Sequence, residues 1–370
     1  QSVIDSYLDE VSKQGIHTDL VKSSGLKVVY TPLNGTGNKP VRAILKKIGV
    51  EDVTVVPEQE YPDGNFPTCP FPNPEIKEAL AKGLELCNVV KPDLLLATDP
   101  DCDRVGIAVP SDNGYELFTG NEVGAMLLEY ICSERTKMGT MPADPVAVKT
   151  IVTTDIAAKI AKEYGVKLIE VLTGFKFIGE QIGFLEDKGQ EDRYIFGFEE
   201  SYGYLAGSYV RDKDAVVASM LICEMAAFYR TKGISLIQAR ENMYKKYGVY
   251  VHSQSSFVCE GVTGMERMKE IMSDLRTNTP KTIGGLTVTR FEDYLASTSV
   301  DTATGAKTML TLPKSDVLTF KLTDGASVII RPSGTEPKIK AYYTTTGTTK
   351  AEAAALEKTI SDDFAKILGF

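Results

Sequence analysis

Two stretches of this 370-residue chain repeat one plan, and that plan restricts the fold more than any other feature. LKVVYTPLNGTGNKPVRAILKKIGVEDVTVV starts at Leu26, and VAVKTIVTTDIAAKIAKEYGVKLIEVL starts at Val146. Each runs from an apolar strand through a Thr-containing turn into an amphipathic helix, then past a Gly (Gly49, Gly165) to a second apolar strand. Gly at that point suits a left-handed helix C-cap, and Thr153 or Thr154 suits an N-cap. Strand, helix and a second strand reached by a short crossover make a parallel βαβ unit. Two such units predict two mixed-sheet α/β domains of related topology, at residues 23–140 and 141–256.

The remainder follows a different period. Leu286 to Arg290, Val317 to Leu322, Ser327 to Arg331 and Lys338 to Tyr343 read as strands, the last three joined by short turns. Helical patterns lie before and after them, from Met265 to Arg276 and from Ala351 to Leu368. This predicts an α+β domain with an antiparallel sheet over 257–370. Six of the 17 prolines fall between Pro57 and Pro74, which demands an extended loop, and none lies between Pro145 and Pro280. The Pro-free stretch permits long helices such as the apolar run Ala215 to Tyr229. Residues 1–22 read as a helix and linker with little apolar area, as if a packing partner were missing.

Composition narrows the chemistry. A formal charge of −9 argues against a general nucleic-acid binder, and no segment is apolar enough to predict a membrane partner. His17 and His252 are the only histidines, so multi-His zinc clusters are excluded and histidine catalysis is disfavoured. The six cysteines show no CxxC spacing and read as free thiols of a reducing compartment, the cytoplasm.

Four loops carry candidate chemistry. In PDLLLATDPDCDRVGIAV (92–109), a buried strand delivers Asp99, Asp101 and Asp103 at every second position, with Arg104 next. Three carboxylates on so short a loop repel unless a cation lies among them, and hard oxygen ligands suit Mg²⁺. An EF-hand fails, because Arg104 replaces the required Gly and Pro110 stands where the Glu belongs. A haloacid-dehalogenase phosphatase also opens with a strand ending in DxD, and a solvated acidic turn is the plainest reading. In RPSGTEPKIKAYY (331–343), a tight turn gathers backbone N–H groups, the Ser333 and Thr335 hydroxyls and the Arg331 guanidinium into a concavity that fits phosphate. A plain hairpin would use the same Pro and Gly. In GFEESYGYL (197–205) and VRDKDAV (210–216), Glu199, Glu200 and Ser201 offer acceptors to sugar hydroxyls, while Arg211 and Lys213 could meet a phosphate. A polar loop with a solvated charge run accounts for them equally simply. In TGFKFIGE (173–180), Lys176 sits between aromatics, where a snorkelling Lys is common.

These loops, in this order, resemble the α-D-phosphohexomutase family, the phosphoglucomutases and phosphomannomutases. PDGNFPTCPFPNPE (62–75) is similar to that family's FPT…PNPE segment. The resemblance implies that Asp99, Asp101 and Asp103 hold Mg²⁺, with Arg104 near the reacting phosphate. It implies that Glu199 and Ser201 contact the sugar O3 and O4 hydroxyls, and that Lys213, Lys176, Thr173 and Gly174 approach the substrate. Arg331, Ser333, Gly334 and Thr335 would hold the phosphate that is not transferred. The substrates implied are glucose 1-phosphate, glucose 6-phosphate and glucose 1,6-bisphosphate, and GFEES looks more like glucose-handling members than phosphoglucosamine mutases.

One departure stands out. Family members carry a Thr-Ala-Ser-His-Asn-Pro type segment whose Ser bears the transferable phosphate, and neither Ile-His-Thr at His17 nor Val-His-Ser at His252 matches it. With Gln1 as first residue, the expectation is a fragment resembling domains two to four. Its partner would be the missing N-terminal domain, and alone it would have little or no activity.

Overall fold

The computed structural model describes residues 2–259, 263–333 and 336–370. Contacts divide it into two units, Gln1–Met243 and Tyr244–Phe370. The first unit opens with helices α1 (Val3–Ser12) and α2 (Thr18–Ser24), followed by β1 (Lys27–Thr31), α3 (Asn38–Ile48) and β2 (Asp52–Val55). It continues through α4 (Ala81–Val90), β3 (Leu94–Thr98), β4 (Val105–Ser111), β5 (Gly114–Phe118) and α5 (Gly120–Met138). The second βαβ pattern supplies β6 (Val146–Thr150), α6 (Ile156–Glu163), β7 (Lys167–Val171), α7 (Phe175–Glu186), β8 (Tyr194–Glu199), β9 (Gly203–Leu205) and α8 (Ala215–Thr231). Helix α9 (Leu236–Tyr247) leads out of this unit.

Both repeats form the parallel pairs expected. In the first sheet the order is β2-β1-β3-β4-β5, with β1 parallel to β2 and β3 and an antiparallel return at β4. The second sheet, β7-β6-β8-β9, copies that scheme, with β6 parallel to β7 and β8 and the return at β9. Strand β3 therefore corresponds to β8, and each ends in one of the acidic loops. In open α/β sheets ligands gather beyond the carboxyl ends of parallel strands, so the topology puts both loops where a site is expected.

Local details follow from residue chemistry. Gly49 takes the left-handed conformation at the end of α3, its N–H reaching the carbonyls of Leu45 and Lys46. Gly165 is also left-handed, one residue beyond the α6 C-cap Tyr164. The N-cap expected at Thr153 or Thr154 falls instead on Asp155, whose side chain makes no capping bond. Thr154 still helps, accepting the Ile156 N–H at 3.3 Å, whereas Thr153 is drawn to other partners described below.

The long apolar run becomes α8, with 14 buried residues between Ala215 and Phe228. Asp214 caps it, accepting the N–H groups of Val216 and Val217 at 2.7 and 3.2 Å. The N-terminal segment corrects expectation: it is two helices, and α1 is not orphaned. Leu8 and Val11 are buried, α1 packs on α3 and α8, and Tyr7 donates to Asp214 at 2.7 Å.

The C-terminal unit contains β10 (Val249–Val258), α10 (Gly264–Thr277), β11 (Thr282–Ile283), β12 (Leu286–Asp293), β13 (Thr298–Asp301) and β14 (Lys307–Met309). It ends with β15 (Leu318–Leu322), β16 (Ser327–Pro332), β17 (Lys338–Gly347) and α11 (Lys350–Leu368). The sheet runs β10-β17-β16-β15-β12-β13-β14, and its pairs are antiparallel. Phe320, Val328, Ile330, Ala341 and Tyr343 from the sheet pack with Met268, Met272 and Leu275 of α10 and with Ile360 and Phe364 of α11. The expected boundary at residue 256 runs through β10, which pairs with β17 over ten residues and so belongs wholly to this sheet.

Candidate functional site

The β3–β4 hairpin is built around Asp99. Leu94, Leu95, Leu96 and Ala97 are fully buried, and they fix the strand that delivers this carboxylate, itself 8% exposed. Asp99 Oδ1 accepts the backbone N–H of Asp103 at 3.0 Å and of Arg104 at 2.9 Å. Cys102 adopts a left-handed φ of 62°, and this tight turn swings Asp101 and Asp103 back toward Asp99. One oxygen from each of the three carboxylates lies within 4.8 Å of the others. Burial first, then the charges of Asp103 and Asp101, hold the Asp99 carboxyl up at about 7. Asp103 Oδ1 is buried with no hydrogen-bond donor among the described residues. A clustered, mutually repelling, oxygen-only donor set with an unsatisfied buried oxygen fits a hard divalent cation such as Mg²⁺.

Two cations already lean on this cluster. Arg104 Nε lies 3.7 Å from Asp103 Oδ1 and 3.9 Å from Asp99 Oδ2, while its Nη1 donates to Glu75 Oε1 at 3.1 Å. Glu75 closes the Pro-rich segment, and its grip keeps the guanidinium from collapsing fully onto the carboxylates. Lys213 Nζ reaches Asp103 Oδ2 at 2.7 Å. Burial would lower the Lys213 pKa, but the bond to Asp103 and its charge outweigh this and raise it.

The β8–β9 hairpin meets the β3–β4 hairpin edge to edge. Arg104 and Gly203 form an antiparallel bridge, and the Val105 N–H donates to the Tyr202 carbonyl at 3.1 Å. Gly203 leaves the lysine's path across the hairpin open, since a Cβ there would lie 2.3 Å from Lys213 Cδ. Glu199, 8% exposed, accepts the Ser201 hydroxyl at 3.2 Å through Oε2, and its Oε1 is buried with no hydrogen-bond partner among the described residues. Burial and then the Glu200 charge push the Glu199 carboxyl up to about 7, against the pull of Lys213. The Ala215 N–H at the start of α8 donates to the Cys102 carbonyl at 3.1 Å, so this helix end supports the acidic loop.

The structure thus brings together Asp99, Asp101, Asp103, Arg104, Lys213, Glu199 and Ser201. Two other sequence-picked cations of the same unit are engaged elsewhere. Arg211 is paired with Glu186 and with the carbonyls of Ser208 and Val210, so the charge offered to a phosphate is already engaged. Lys176 is exposed on α7, its ammonium 4.9 Å above the Phe177 ring, beside Thr173 and the left-handed Gly174. In the C-terminal unit Arg331 lies in β16 opposite Lys340. Ser333 N–H donates to the Lys338 carbonyl at 2.8 Å, and its hydroxyl accepts the Glu336 N–H at 3.3 Å. Gly334 and Thr335 lie outside the described residues. Sequence reasoning passed over Glu75 as a site residue, although PNPE was part of the pattern noted.

Comparison with known proteins gives consistent matches. Models of the phosphoglucomutase/phosphomannomutase family match in three segments: α/β/α domain II over residues 5–113, α/β/α domain III over 119–247 and the C-terminal domain over 276–362. The phosphoglucomutase of Staphylococcus aureus is 36% identical over 343 residues, covering 92% of this chain and 60% of that protein. The chain therefore spans about 60% of the length of the curated relatives it matches. Among solved structures, Paramecium parafusin, a phosphoglucomutase in its open form, aligns with a TM-score of 0.70 at 18% identity, over 99% of this chain and 62% of its own. A phosphoglucomutase/phosphomannomutase family protein of Burkholderia thailandensis aligns at 0.64 and 17% identity, over 99% and 64%.

Proposed function

Since the chain belongs to the phosphoglucomutase/phosphomannomutase family, we propose that it supplies the metal-binding and sugar-phosphate-binding portion of a hexose phosphate mutase. The reaction is reversible transfer of phosphate between O1 and O6 of a glucose phosphate, by way of an enzyme phosphoserine and glucose 1,6-bisphosphate. One observation carries the reading: the Asp99, Asp101 and Asp103 cluster, flanked by Arg104 and Lys213, is bridged directly to the Glu199–Ser201 loop. Phosphoryl transfer depends mainly on positioning and charge neutralisation, and this arrangement offers both beside a hydroxyl-binding pair.

Asp99, Asp101 and Asp103 would hold Mg²⁺, which supplies positive charge to a transferring phosphoryl group. Arg104, steered by Glu75, presents its guanidinium beside the cluster to spread charge from phosphate oxygens. Lys213 holds its proton more firmly than a free lysine and can therefore donate hydrogen bonds to a phosphate without losing charge. Glu199 and Ser201 would accept and donate to two neighbouring sugar hydroxyls, which lets one loop serve a sugar bound in either direction. Arg331 and Ser333, with Gly334 and Thr335, would hold the second phosphate, while Lys176, Thr173 and Gly174 would line the substrate's path. The phosphatase alternative has less support, because the family match runs through three successive domains of the mutase architecture. Six free cysteines fit a cytoplasmic setting.

The chain alone is proposed to bind glucose phosphates without turning them over, the serine-bearing domain being its partner. Titration calorimetry with glucose 1-phosphate should show saturable binding that Arg331→Ala weakens. Equal, weak heats for both proteins would remove the phosphate-clamp role. Substantial conversion of glucose 1-phosphate to glucose 6-phosphate by the purified chain would overturn the inactivity claim.

A further inference from the structure

We propose that Glu200, pointing away from the sugar-binding pair, is the positioning residue that fixes the direction of the Glu199–Ser201 loop through Thr150 and Thr153. The inference rests on the functional reading above for what the loop binds, but its structural half stands separately. Glu199 and Ser201 are joined by their own 3.2 Å hydrogen bond, while Glu200, in the turn that follows β8, sends its side chain to other partners. Its Oε2 accepts hydroxyl hydrogen bonds from Thr150 at 3.3 Å and Thr153 at 3.2 Å. Both threonines are almost wholly buried, at 1% and 3% exposure, and their hydroxyls are 2.8 Å apart.

The cradle is itself anchored. Lys149, with no exposed surface, donates from Nζ to the carbonyls of Thr150 and Thr153 at 3.3 and 3.0 Å and to Asp155 at 3.1 Å, and forms an ion pair with Glu170 at 2.7 Å. The Thr154 N–H is held by Asn121 Oδ1 at 2.9 Å, which ties the same loop to the start of α5. The Glu200 backbone lies against that helix start as well, since a Cβ at Gly120 would fall 2.1 Å from the Glu200 carbonyl oxygen. A buried cation thus shapes a turn, the turn presents two hydroxyls, and the hydroxyls lock the one side chain that sets how its neighbours face. Buried polar chains of this kind specify one geometry when every member is satisfied.

The test uses the full 370-residue chain, with Glu200→Ala, the conservative Glu200→Gln and the volume-conserving pair Thr150→Val with Thr153→Val. Glucose 1-phosphate and, as a control probe, inorganic phosphate are titrated by calorimetry, and amide hydrogen exchange is followed across residues 197–205. Glu200→Ala and the double valine variant should lose affinity for glucose 1-phosphate by roughly tenfold or more, the scale of one or two buried hydrogen bonds. Inorganic phosphate binding should be unchanged, Glu200→Gln should restore most of the loss, and exchange should quicken at 199–203 while other segments keep their rates. Unchanged glucose 1-phosphate affinity and unchanged exchange in Glu200→Ala would overturn the positioning role. Absence of glucose 1-phosphate binding by the parent chain would overturn the functional reading instead, and the exchange rates alone would then decide the role of Glu200.

Discussion

Replacing Asp99 with Asn should make the metal-free protein more stable at alkaline pH, although the substitution destroys the site. Asn keeps an oxygen for the Asp103 and Arg104 N–H groups, so the turn is preserved and only charge is lost. A carboxyl raised from 3.8 to about 7 by burial and by its two neighbours costs roughly 4 kcal/mol when ionised in the fold. The sign follows from proton linkage. The folded state holds the proton more tightly than the unfolded chain, so this group's stabilisation is complete below about pH 4. It is lost as pH rises to about 7 and is level above that.

In calorimetric unfolding with EDTA, Asp99→Asn should flatten this decline. At pH 8.5 it should raise the melting temperature of the N-terminal unit by about 8–16 °C, on the usual scale of 2–4 °C per kcal/mol for a unit of this size. Adding millimolar Mg²⁺ should reverse the order, stabilising the parent chain above pH 7 and leaving Asp99→Asn unmoved. An Asn variant less stable than the parent at pH 8.5 in EDTA, or stabilised equally by Mg²⁺, would refute the view that repulsion among three carboxylates awaits a cation.

Other perturbations follow from the same geometry. Lys149→Met should cost roughly 2–4 kcal/mol in urea unfolding, because it removes the donor to two carbonyls and two carboxylates from a fully buried position. Asp214→Ala should cost about 1–3 kcal/mol by the same assay, since the α8 cap and the acceptor for the Tyr7 and Tyr209 hydroxyls disappear together. Gly124→Ala should destabilise by roughly 1–3 kcal/mol, as its Cβ would fall 2.0 Å from the Phe198 ring on the strand that presents Glu199.

Much of this arrangement is legible in the residues because it is local. The two βαβ units announce themselves through strand and helix periods within about 30 residues, and the acidic and GFEES loops follow buried strands directly. Elements whose stability comes from distant pairing are harder to read. Strand β10 alternates half-buried and exposed residues in VYVHSQSSFV and is secured by β17, about 90 residues later, so it lacks an apolar stripe of its own. Strand β14 is exposed throughout and exists by pairing with β13.

The site shows the same limit. Glu75 acts through Arg104, 29 residues away, and no local pattern reports that contact. Glu200 sits inside a recognised motif and reads as a third acceptor for sugar hydroxyls, whereas the structure turns it toward Thr150 and Thr153. What it meets there depends on a turn 50 residues earlier, which the fold alone supplies.

One metal-assisted sugar-phosphate site should span the two acidic loops. Titration of glucose 1,6-bisphosphate into the purified chain with and without Mg²⁺, alongside Asp101→Asn, tests it most directly. One saturable site is expected, with an affinity that falls at least roughly tenfold on adding EDTA, the scale of a lost charge-assisted contact, and equally in the Asp101 variant. The same affinity in Mg²⁺, in EDTA and in Asp101→Asn would contradict it.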